Sequence, residues 1–513
     1  MTDAHYDAIV IGTGAGGGTL AYKLATSGKK ILVLERGSFL PRNKANWDSQ
    51  QVLRKECYRT SEQWYDKDGK VINPVTNYYV GGNTKFYGGA LFRLREQDFA
   101  EVIHQGGISP EWPLKYQDFA PYYEQAEKLY EVHGQRYLDP TEPPRNQDYP
   151  FSAISHEPYI QEIHDGLKDK GLHPFYLPLA IKLNELDPHL SACIRCDTCD
   201  GFPCLINAKS DADVNCIRPG IASQNLTLIT QAKVVRLHTS ASGREITGVE
   251  AEISGKSQIF FGDIVIVACG AINSAALLLK SANDQHPNGL ANSSNLVGRN
   301  YMAHNFGVVM TLSTKLNPTV FQKTLGVNDF YWGEDDFTYP MGSVQLLGNI
   351  NKERIAANGP PLMPEIVAET IANHAVTWLI INEDLPEFHN RVRVQGEQIF
   401  LDYNPNNQEA FNRLIQRWIE VLKSLDQQHT FGRFSHHITQ NFTVKEVGHQ
   451  CGTCRFGEDP KTSVLDINCR THEIDNLYVV DGSFFPSSSA VNPSLTIIAN
   501  ALRVGEHLLA RMS

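Results

Sequence analysis

The stretch Tyr6–Gly37, YDAIVIGTGAGGGTLAYKLATSGKKILVLERG, predicts the fold of the amino-terminal region. Its apolar run Ile9–Ile11 indicates a buried strand, and the glycines that follow are spaced as G-x-G-x-x-G. We expect a helix after these glycines, ending at Gly28, and a second strand over Ile31–Leu34. A strand, glycine turn, helix and strand in this order are typical of an α/β domain that binds a dinucleotide.

The glycine turn and the acid after the second strand predict where the dinucleotide binds. Glycines let backbone N–H groups at a helix N-terminus approach a pyrophosphate. Glu35 lies about 20 residues after the turn, where an acid can accept a hydrogen bond from a ribose 2′-hydroxyl. The pattern alone does not distinguish an NAD site from an FAD site. The contacts predicted from this stretch are Gly12, Gly14, Ala15, Gly17, Glu35 and Arg36.

The carboxyl-terminal quarter carries a second pattern. The stretch NLYVVDGSFFPSSSAVNPSLTIIANALRVGEHLLARM (476–512) predicts a strand over residues 477–480, a loop and an amphipathic helix. We expect Asn492 to be the N-cap of this helix and Pro493 to be its first residue. His449 lies upstream in the glycine-bounded segment VGHQCGTCRFGEDPKTSVLD.

Together these segments resemble the glucose–methanol–choline (GMC) family of FAD-dependent alcohol oxidoreductases. The family pattern H-x-x-G-T appears as His449-Gln-Cys-Gly-Thr453. Further matches occur in chain order, from about residue 6 to about residue 505. They include YYVGGNTKFYGGALFR (78–93), VVRL (234–237), VIVACGAINSAALL (265–278) and VGRNYMAH (297–304).

The resemblance implies an α/β fold of two domains. A Rossmann-like FAD domain is expected from residues 1–100, 205–304 and 441–513. A substrate domain with an antiparallel sheet and helices is expected from residues 101–204 and 305–440.

The resemblance also implies the reaction, which is oxidation of a primary or secondary alcohol by hydride transfer to flavin N5. His449 is then the base, and Asn492 occupies the position of the second catalytic residue. FAD is expected to be non-covalent, because Phe86 stands where some members have a histidine linked to the flavin. The further FAD contacts implied are Gly81, Gly82, Thr84, Tyr87, Gly88, Val234, Cys269, Asp481, Gly482, Pro493 and Thr496.

The segments 76–99 and 111–130 look closest to family members that oxidise sugar hydroxyls, including those of aminoglycosides. A carbohydrate site combines aromatic and polar side chains, which suggests Gln345, Trp332 and Trp378 as substrate contacts. The electron acceptor is O₂ or another acceptor. Three further functions stay open: an iron–sulfur dehydrogenase with a protein or quinone partner, a flavin-binding protein without catalysis, and an NAD-dependent dehydrogenase.

The stretch CIRCDTCDGFPC (193–204) contains four of the ten cysteines. Its first three cysteines match the ferredoxin spacing but the fourth does not, and zinc pairs with a long spacer are absent. These cysteines could instead be free thiols or form a disulfide, such as Cys193 or Cys196 with Cys204. We expect no metal site here or at His436 and His437, which should point to opposite faces of a strand.

A formal net charge of −11 argues against nucleic acid or an anionic membrane surface as the main partner. The apolar runs are too short to span a bilayer. The amino terminus lacks the basic and apolar regions of a secretory signal, and we therefore expect a cytoplasmic protein.

Overall fold

The computed structural model describes residues 4–360, 362–425 and 434–513. Its helices are α1 (Ala15–Thr26), α2 (Tyr116–Leu129), α3 (Pro158–Asp169), α4 (Arg218–Ala222), α5 (Ala271–Lys280), α6 (Lys352–Asn358), α7 (Glu365–His374), α8 (Gln408–Leu425) and α9 (Ser494–Arg511). Its strands are β1 (His5–Ile11), β2 (Ile31–Leu34), β3 (Trp64–Asp66), β4 (Val71–Ile72), β5 (Val102–His104), β6 (Gly107–Ser109), β7 (Val132–Gly134), β8 (Phe151–Ser152), β9 (Phe175–Tyr176), β10 (Leu179–Ala180), β11 (Leu226–Ile229), β12 (Ala232–Thr239), β13 (Ile246–Ile253), β14 (Lys256–Val267), β15 (Met302–Ala303), β16 (Asn305–Ser313), β17 (Leu325–Val327), β18 (Ser343–Leu346), β19 (Ala375–Asn382), β20 (Arg391–Gln395), β21 (Gln398–Asp402), β22 (Phe434–Asn441), β23 (Gln450–Cys451) and β24 (Leu477–Val479).

The larger sheet joins strands from both ends of the chain. Its strands lie in the order β11-β2-β1-β14-β13-β12, and β24 also pairs with β14. The last residues of β14 pair in parallel with β1 and β24, whereas its first residues pair antiparallel with β13. Residues Ala8–Ile11 and Ile31–Leu34 are buried, as expected for strands covered on both faces. The predicted strand–helix–strand unit is therefore present.

Helix α1 approaches this sheet closely because its first turn contains glycines. A Cβ atom at Gly16 would lie 2.0 Å from the carbonyl oxygen of Val480, and one at Gly17 would lie 2.2 Å from the carbonyl oxygen of Gly12. Neither side chain could be accommodated without moving the backbone. Helix α9 packs against both α1 and α2, so the first and last helices of the chain share one core.

The second large sheet is antiparallel, in the order β22-β16-β19-β18-β17-β9. Helix α8 packs on it through β16, β19 and β22. The buried face of α8 includes Leu414, Trp418 and Leu422, spaced at one helical turn. The α/β architecture, with an antiparallel sheet in the second half, is confirmed.

Two contacts join segments that the sequence assigned to different domains. Strands β20 and β21 form one sheet with β3 and β4, and the Tyr123 hydroxyl on α2 bonds that of Thr496 on α9 at 2.8 Å. The domain boundaries stay a prediction. Within the described residues, no helix has both the length and the apolar character needed to cross a bilayer.

Candidate active site

A cavity of about 820 Å³ lies at the carboxyl ends of the parallel strands and extends to the antiparallel sheet. Open α/β sheets bind their ligands at this edge. The site residues predicted from the sequence that line the cavity are Gly12, Gly14, Ala15, Glu35, Arg36, Gly82, Thr84, Tyr87, Gly88, Val234, Cys269, Gln345, His449, Asp481, Gly482, Asn492 and Pro493.

Three predicted FAD contacts, Gly17, Gly81 and Thr496, lie behind the cavity lining. Gly17 leaves room for the carbonyl of the preceding turn. Gly81 donates its N–H to the Thr13 hydroxyl at 3.0 Å, and Thr496 bonds a tyrosine of α2. These three residues are not among those that line the cavity, and their direct contact with FAD stays a prediction.

The turn between β1 and α1 is shaped for close approach of a ligand. Gly12 has φ +102°, and a Cβ atom there would lie 2.4 Å from the carbonyl oxygen of Ala268. At Gly14, by contrast, a Cβ atom would meet no atom of the described residues within 4 Å, because this residue faces the open cavity. The free N–H groups of the first turn of α1 therefore face a space that fits a pyrophosphate.

Glu35 is buried at the end of β2 and is held by three hydrogen bonds. Thr13 donates to it from its backbone N–H at 3.1 Å and from its hydroxyl at 2.5 Å, and Gly37 donates its N–H at 2.8 Å. Burial raises the pKa of this carboxyl despite these donors. A carboxylate has about four acceptor positions, so Glu35 can also accept from a ribose hydroxyl. The turn and the acid together fit a dinucleotide such as FAD.

The middle of the cavity is formed by buried polar groups with intramolecular partners. Asp481, after β24, accepts hydrogen bonds from the N–H of Gly270 at 2.9 Å and from the Ser274 hydroxyl at 2.5 Å. The Tyr87 hydroxyl donates to the carbonyl of Ser210. This hydrogen bond fixes the position of Tyr87, which is one of the residues that line the cavity.

The far end of the cavity contains His449 next to a second histidine, His304. Their Nδ1 atoms are 2.9 Å apart, and the Nε2 atom of His304 is 3.1 Å from the carbonyl oxygen of Ser488. His449 is partly exposed to the cavity, whereas His304 is fully buried. Burial by the surrounding protein lowers the pKa of His449 well below its usual value, and the adjacent His304 acts in the same direction. His449 is therefore neutral near pH 7.

Asn492 lies at the same end, one residue before Pro493. Its side-chain oxygen accepts a hydrogen bond from the amide of Gln345 at 3.0 Å. Helix α9 begins at Ser494, and no side chain caps it. The N-cap role predicted for Asn492 is therefore wrong, because its oxygen is bound to Gln345 in place of the helix amides. The NH₂ group of Asn492 remains available to donate a hydrogen bond at the His449 end of the cavity.

The two tryptophans predicted to contact substrate do not line the cavity. Trp378 is fully buried and packs against Trp418 of α8, with ring centroids 4.7 Å apart. Its strand β19 is buried on both faces, which explains why an aromatic residue there belongs to the core. Trp332 is partly buried against Tyr331, at 4.8 Å between centroids. Among the three predicted substrate contacts, only Gln345 lines the cavity.

Three residues near the His449 end of the cavity, His304, Lys323 and Asp200, have no role predicted from the sequence. His304 closes the family-like segment VGRNYMAH but was given no role. Lys323 and Asp200 both line the cavity and form an ion pair at 2.6 Å. Although burial alone would raise the pKa of Asp200, Lys323 lowers it overall. No sequence signal relates these two positions, because only the fold brings them together.

The cysteine-rich loop lies beside the cavity. All ten cysteines are free in the structure, and burial raises the pKa of Cys193 to about 12. The described part of the chain contains no group of three histidine, cysteine or acidic side chains arranged to hold a metal ion. The loop packs on the buried Lys209, whose ammonium donates to the carbonyls of Tyr87, Cys199 and Phe202 at 2.7 to 2.9 Å.

Comparison with known proteins gives three findings. The chain matches the models of both domains of the GMC oxidoreductases, over residues 6–306 and 398–501. It is 31% identical to 6'''-hydroxyparomomycin C oxidase of Streptomyces lividus, over 100% of this chain and 92% of that protein, and 30% identical to paromamine 6'-oxidase of Streptomyces fradiae, over 98% and 91%. The crystal structure of pyridoxine 4-oxidase from Mesorbium loti shares the fold, with a TM-score of 0.69 at 17% identity, over 98% of this chain and 99% of that one.

Proposed function

Because the chain belongs to the glucose–methanol–choline (GMC) oxidoreductase family, we propose that it oxidises a hydroxyl group of a sugar or aminoglycoside to a carbonyl, with His449 as the base. The observation that carries this proposal is the position of His449 and Asn492 at one end of a cavity whose other end fits a dinucleotide. Family membership confirms the predicted resemblance, the FAD cofactor and the class of enzyme, an oxidoreductase acting on hydroxyl groups.

Oxidation of an alcohol removes a proton from oxygen and a hydride from carbon, and FAD, when bound, supplies the hydride acceptor. His449 takes the proton, which its lowered pKa permits because the imidazole is neutral near pH 7. Asn492 donates its NH₂ group to the hydroxyl oxygen, since its own oxygen is already bound to Gln345. The two side chains thereby hold the substrate oxygen between a proton acceptor and a donor.

The residues around the turn after β1 and Glu35 hold the nucleotide half of FAD. Non-covalent attachment is supported by Phe86, which lines the cavity and carries no group that could bond to the flavin. Pro493 and Ser494 also line the cavity, so the positive end of the α9 dipole faces it. A helix N-terminus in this position favours negative charge on a bound group.

The substrate class is supported by two relatives whose names specify oxidation of paromamine and hydroxyparomomycin C. We propose dioxygen as the electron acceptor because both are named oxidases. The acidic net charge supports a small-molecule substrate without a nucleic-acid partner. The cytoplasmic location and the domain boundaries predicted from the sequence remain part of this proposal.

Anaerobic mixing of the purified holoprotein with candidate alcohols tests the proposal. We expect a yellow protein whose flavin absorbance is bleached by paromamine or a related sugar and not by methanol. Readmission of air should restore the colour and release hydrogen peroxide. Bleaching by a simple alcohol only would overturn the sugar assignment, and recovery that requires a dye would overturn dioxygen. A yellow protein that none of the alcohols bleaches would contradict the proposed reaction itself.

A further inference from the structure

His304 is a buried histidine in contact with the proposed base, although it does not line the cavity. It lies between β15 and β16 and is 2% exposed. One ring nitrogen bonds Nδ1 of His449, and the other bonds the carbonyl oxygen of Ser488. The ring of Phe306 also packs against His449, with centroids 4.8 Å apart.

The direction of these two hydrogen bonds follows from the partners. A carbonyl oxygen can only accept, so Nε2 of His304 carries a proton. Burial lowers the pKa of His304, and a neutral imidazole with a proton on Nε2 has a bare Nδ1. The 2.9 Å contact then requires His449 to donate its Nδ1 proton to His304. The remaining nitrogen of His449, Nε2, is left unprotonated and free to accept.

We propose that His304 is a positioning residue that sets the tautomer of His449, so that its Nε2 atom is the proton acceptor toward substrate. This inference rests on the proposed function, in which His449 is the base. A neutral histidine without such a partner exchanges between two tautomers, only one of which has its acceptor on Nε2. The hydrogen bond to His304 also restricts rotation of the His449 ring, which keeps Nε2 of His449 in one orientation toward the substrate.

The carbonyl of Ser488 can hold the His304 ring in place because the backbone around Ser488 is itself fixed by hydrogen bonds to buried groups. The Ser488 hydroxyl donates to the carbonyl of Asp384 at 2.8 Å. The N–H of Ser489 donates to a carboxylate oxygen of Glu383 at 3.0 Å, and that of Ala490 to the Tyr331 hydroxyl at 3.1 Å. These residues are buried. The same segment leads directly to Asn492, so residues 488–492 both contact His304 and carry the second proposed catalytic residue.

The ionisable groups around His304 are compatible with a neutral ring. The negative charge of Glu383 raises the pKa of His304. This carboxylate, however, already accepts hydrogen bonds from the Ser109 hydroxyl and the Ser489 N–H and pairs with His104. Asp384 accepts from the N–H of Ala303 and from a tyrosine hydroxyl, and burial raises its pKa well above the usual value. Burial outweighs the effect of Glu383, and the pKa of His304 is lowered overall.

Three substitutions at His304 separate this role from packing. His304→Phe keeps the ring but removes both nitrogens. His304→Asn keeps an acceptor near the Nδ1 position, and His304→Gln keeps a donor near the Nε2 position. We expect the anaerobic rate of flavin reduction by substrate to fall about 10- to 100-fold in His304→Phe, with bound FAD and KM little changed. His304→Asn should recover more of the rate than His304→Gln.

The matched control is His156→Phe. His156 is also buried, bonds the Thr324 hydroxyl at 2.7 Å and stacks on Tyr176 at 4.3 Å, but it does not line the cavity. This substitution should lower thermal stability without changing the rate of flavin reduction. An equal loss of rate in both phenylalanine variants would mean that the His304 effect is only structural.

The tautomer can also be read without substrate. In ¹⁵N-histidine NMR spectra of the holoprotein, the His449 signals are those lost in His449→Gln. They should show a protonated Nδ1 and a bare Nε2, and this pattern should change to a mixture in His304→Phe. An unchanged pattern together with an unchanged rate would overturn the inference. A wild-type protein that no alcohol reduces, yet with the expected NMR pattern, would instead contradict the proposed function.

Discussion

At the nucleotide end of the cavity, residues 12–36 supply the glycine turn, the N-terminus of α1 and Glu35 from one uninterrupted stretch. At the catalytic end, His304, Gln345, His449 and Asn492 come from four separate segments. The first end is mainly backbone, with glycines where a side chain would collide with the chain itself. The second is made of side chains held by other side chains. The comparison shows that one end depends on local conformation and the other on the complete tertiary structure.

The largest expected effect is at the nucleotide end, where two glycines of the same turn should respond differently. In Gly12→Ala, the new Cβ would lie 2.4 Å from the backbone of Ala268 at φ +102°, so the free energy of unfolding should fall by about 3 kcal/mol. FAD should be lost as well. Thermal denaturation and the ratio of flavin to protein absorbance measure both effects.

Gly14→Ala is the matched control, because its Cβ would meet no protein atom within 4 Å. We expect this variant to keep its stability in the absence of added cofactor and to bind FAD about tenfold more weakly. Titration of the apoprotein with FAD measures the loss. Equal loss of stability in the two variants would contradict the distinction between the buried and the open side of the turn.

At the catalytic end, the largest effect on the rate should be that of His449→Gln. Loss of the base should slow flavin reduction by substrate about 1,000-fold, while the absorbance of bound FAD is unchanged. Stopped-flow reduction under anaerobic conditions is the measurement. Loss of FAD together with activity would mean that the two ends of the cavity are less independent than the structure indicates.

Asn492→Ala should have a smaller effect, because a donor is lost but the base remains. We expect flavin reduction to slow about 100-fold. Gln345 would also lose its acceptor, so Asn492→Asp provides a useful comparison: it keeps an oxygen for Gln345 and removes the NH₂ donor. A similar loss in both variants would assign the effect to the donor, and a normal rate in Asn492→Asp would contradict that role.

The pH dependence should show a smaller effect still. A base acts in its neutral form, and the pKa of His449 is lowered well below the usual value by burial. The rate of flavin reduction should therefore be nearly constant from about pH 8 to about pH 6.5, where an ordinary histidine would already be half protonated. The acid limb should appear only below that pH. A rate that halves at about pH 6.5 would contradict the lowered pKa.

The smallest expected effect on catalysis is that of Trp378→Phe. Trp378 is packed in the core against Trp418, and its ring N–H has no partner among the described residues. KM and kcat should be unchanged, although the free energy of unfolding should fall by about 1–2 kcal/mol. Steady-state kinetics and urea denaturation provide the two readouts. An increase in KM would restore this residue as a substrate contact.

The same contrast explains how much could be predicted from the sequence. The turn at Gly12 and the strand ending before Glu35 were predicted within a residue, because local sequence dictates local backbone. His449 and Asn492 followed only from the family resemblance. His304 could not be assigned a role, since its partner lies 145 residues away and contact across the fold leaves no local pattern. Trp378 was misplaced because aromatic residues occur in cores and in sugar sites alike.

The position of β14 between β1 and β24 has a consequence for synthesis of the protein. The nucleotide turn is synthesised long before the strand that completes its sheet, which is made from residues 477–479. The helix that packs on α1 follows later still. A nascent chain therefore carries an exposed edge of β14 until β24 has been made, and unpaired strand edges of this kind make folding intermediates prone to aggregation.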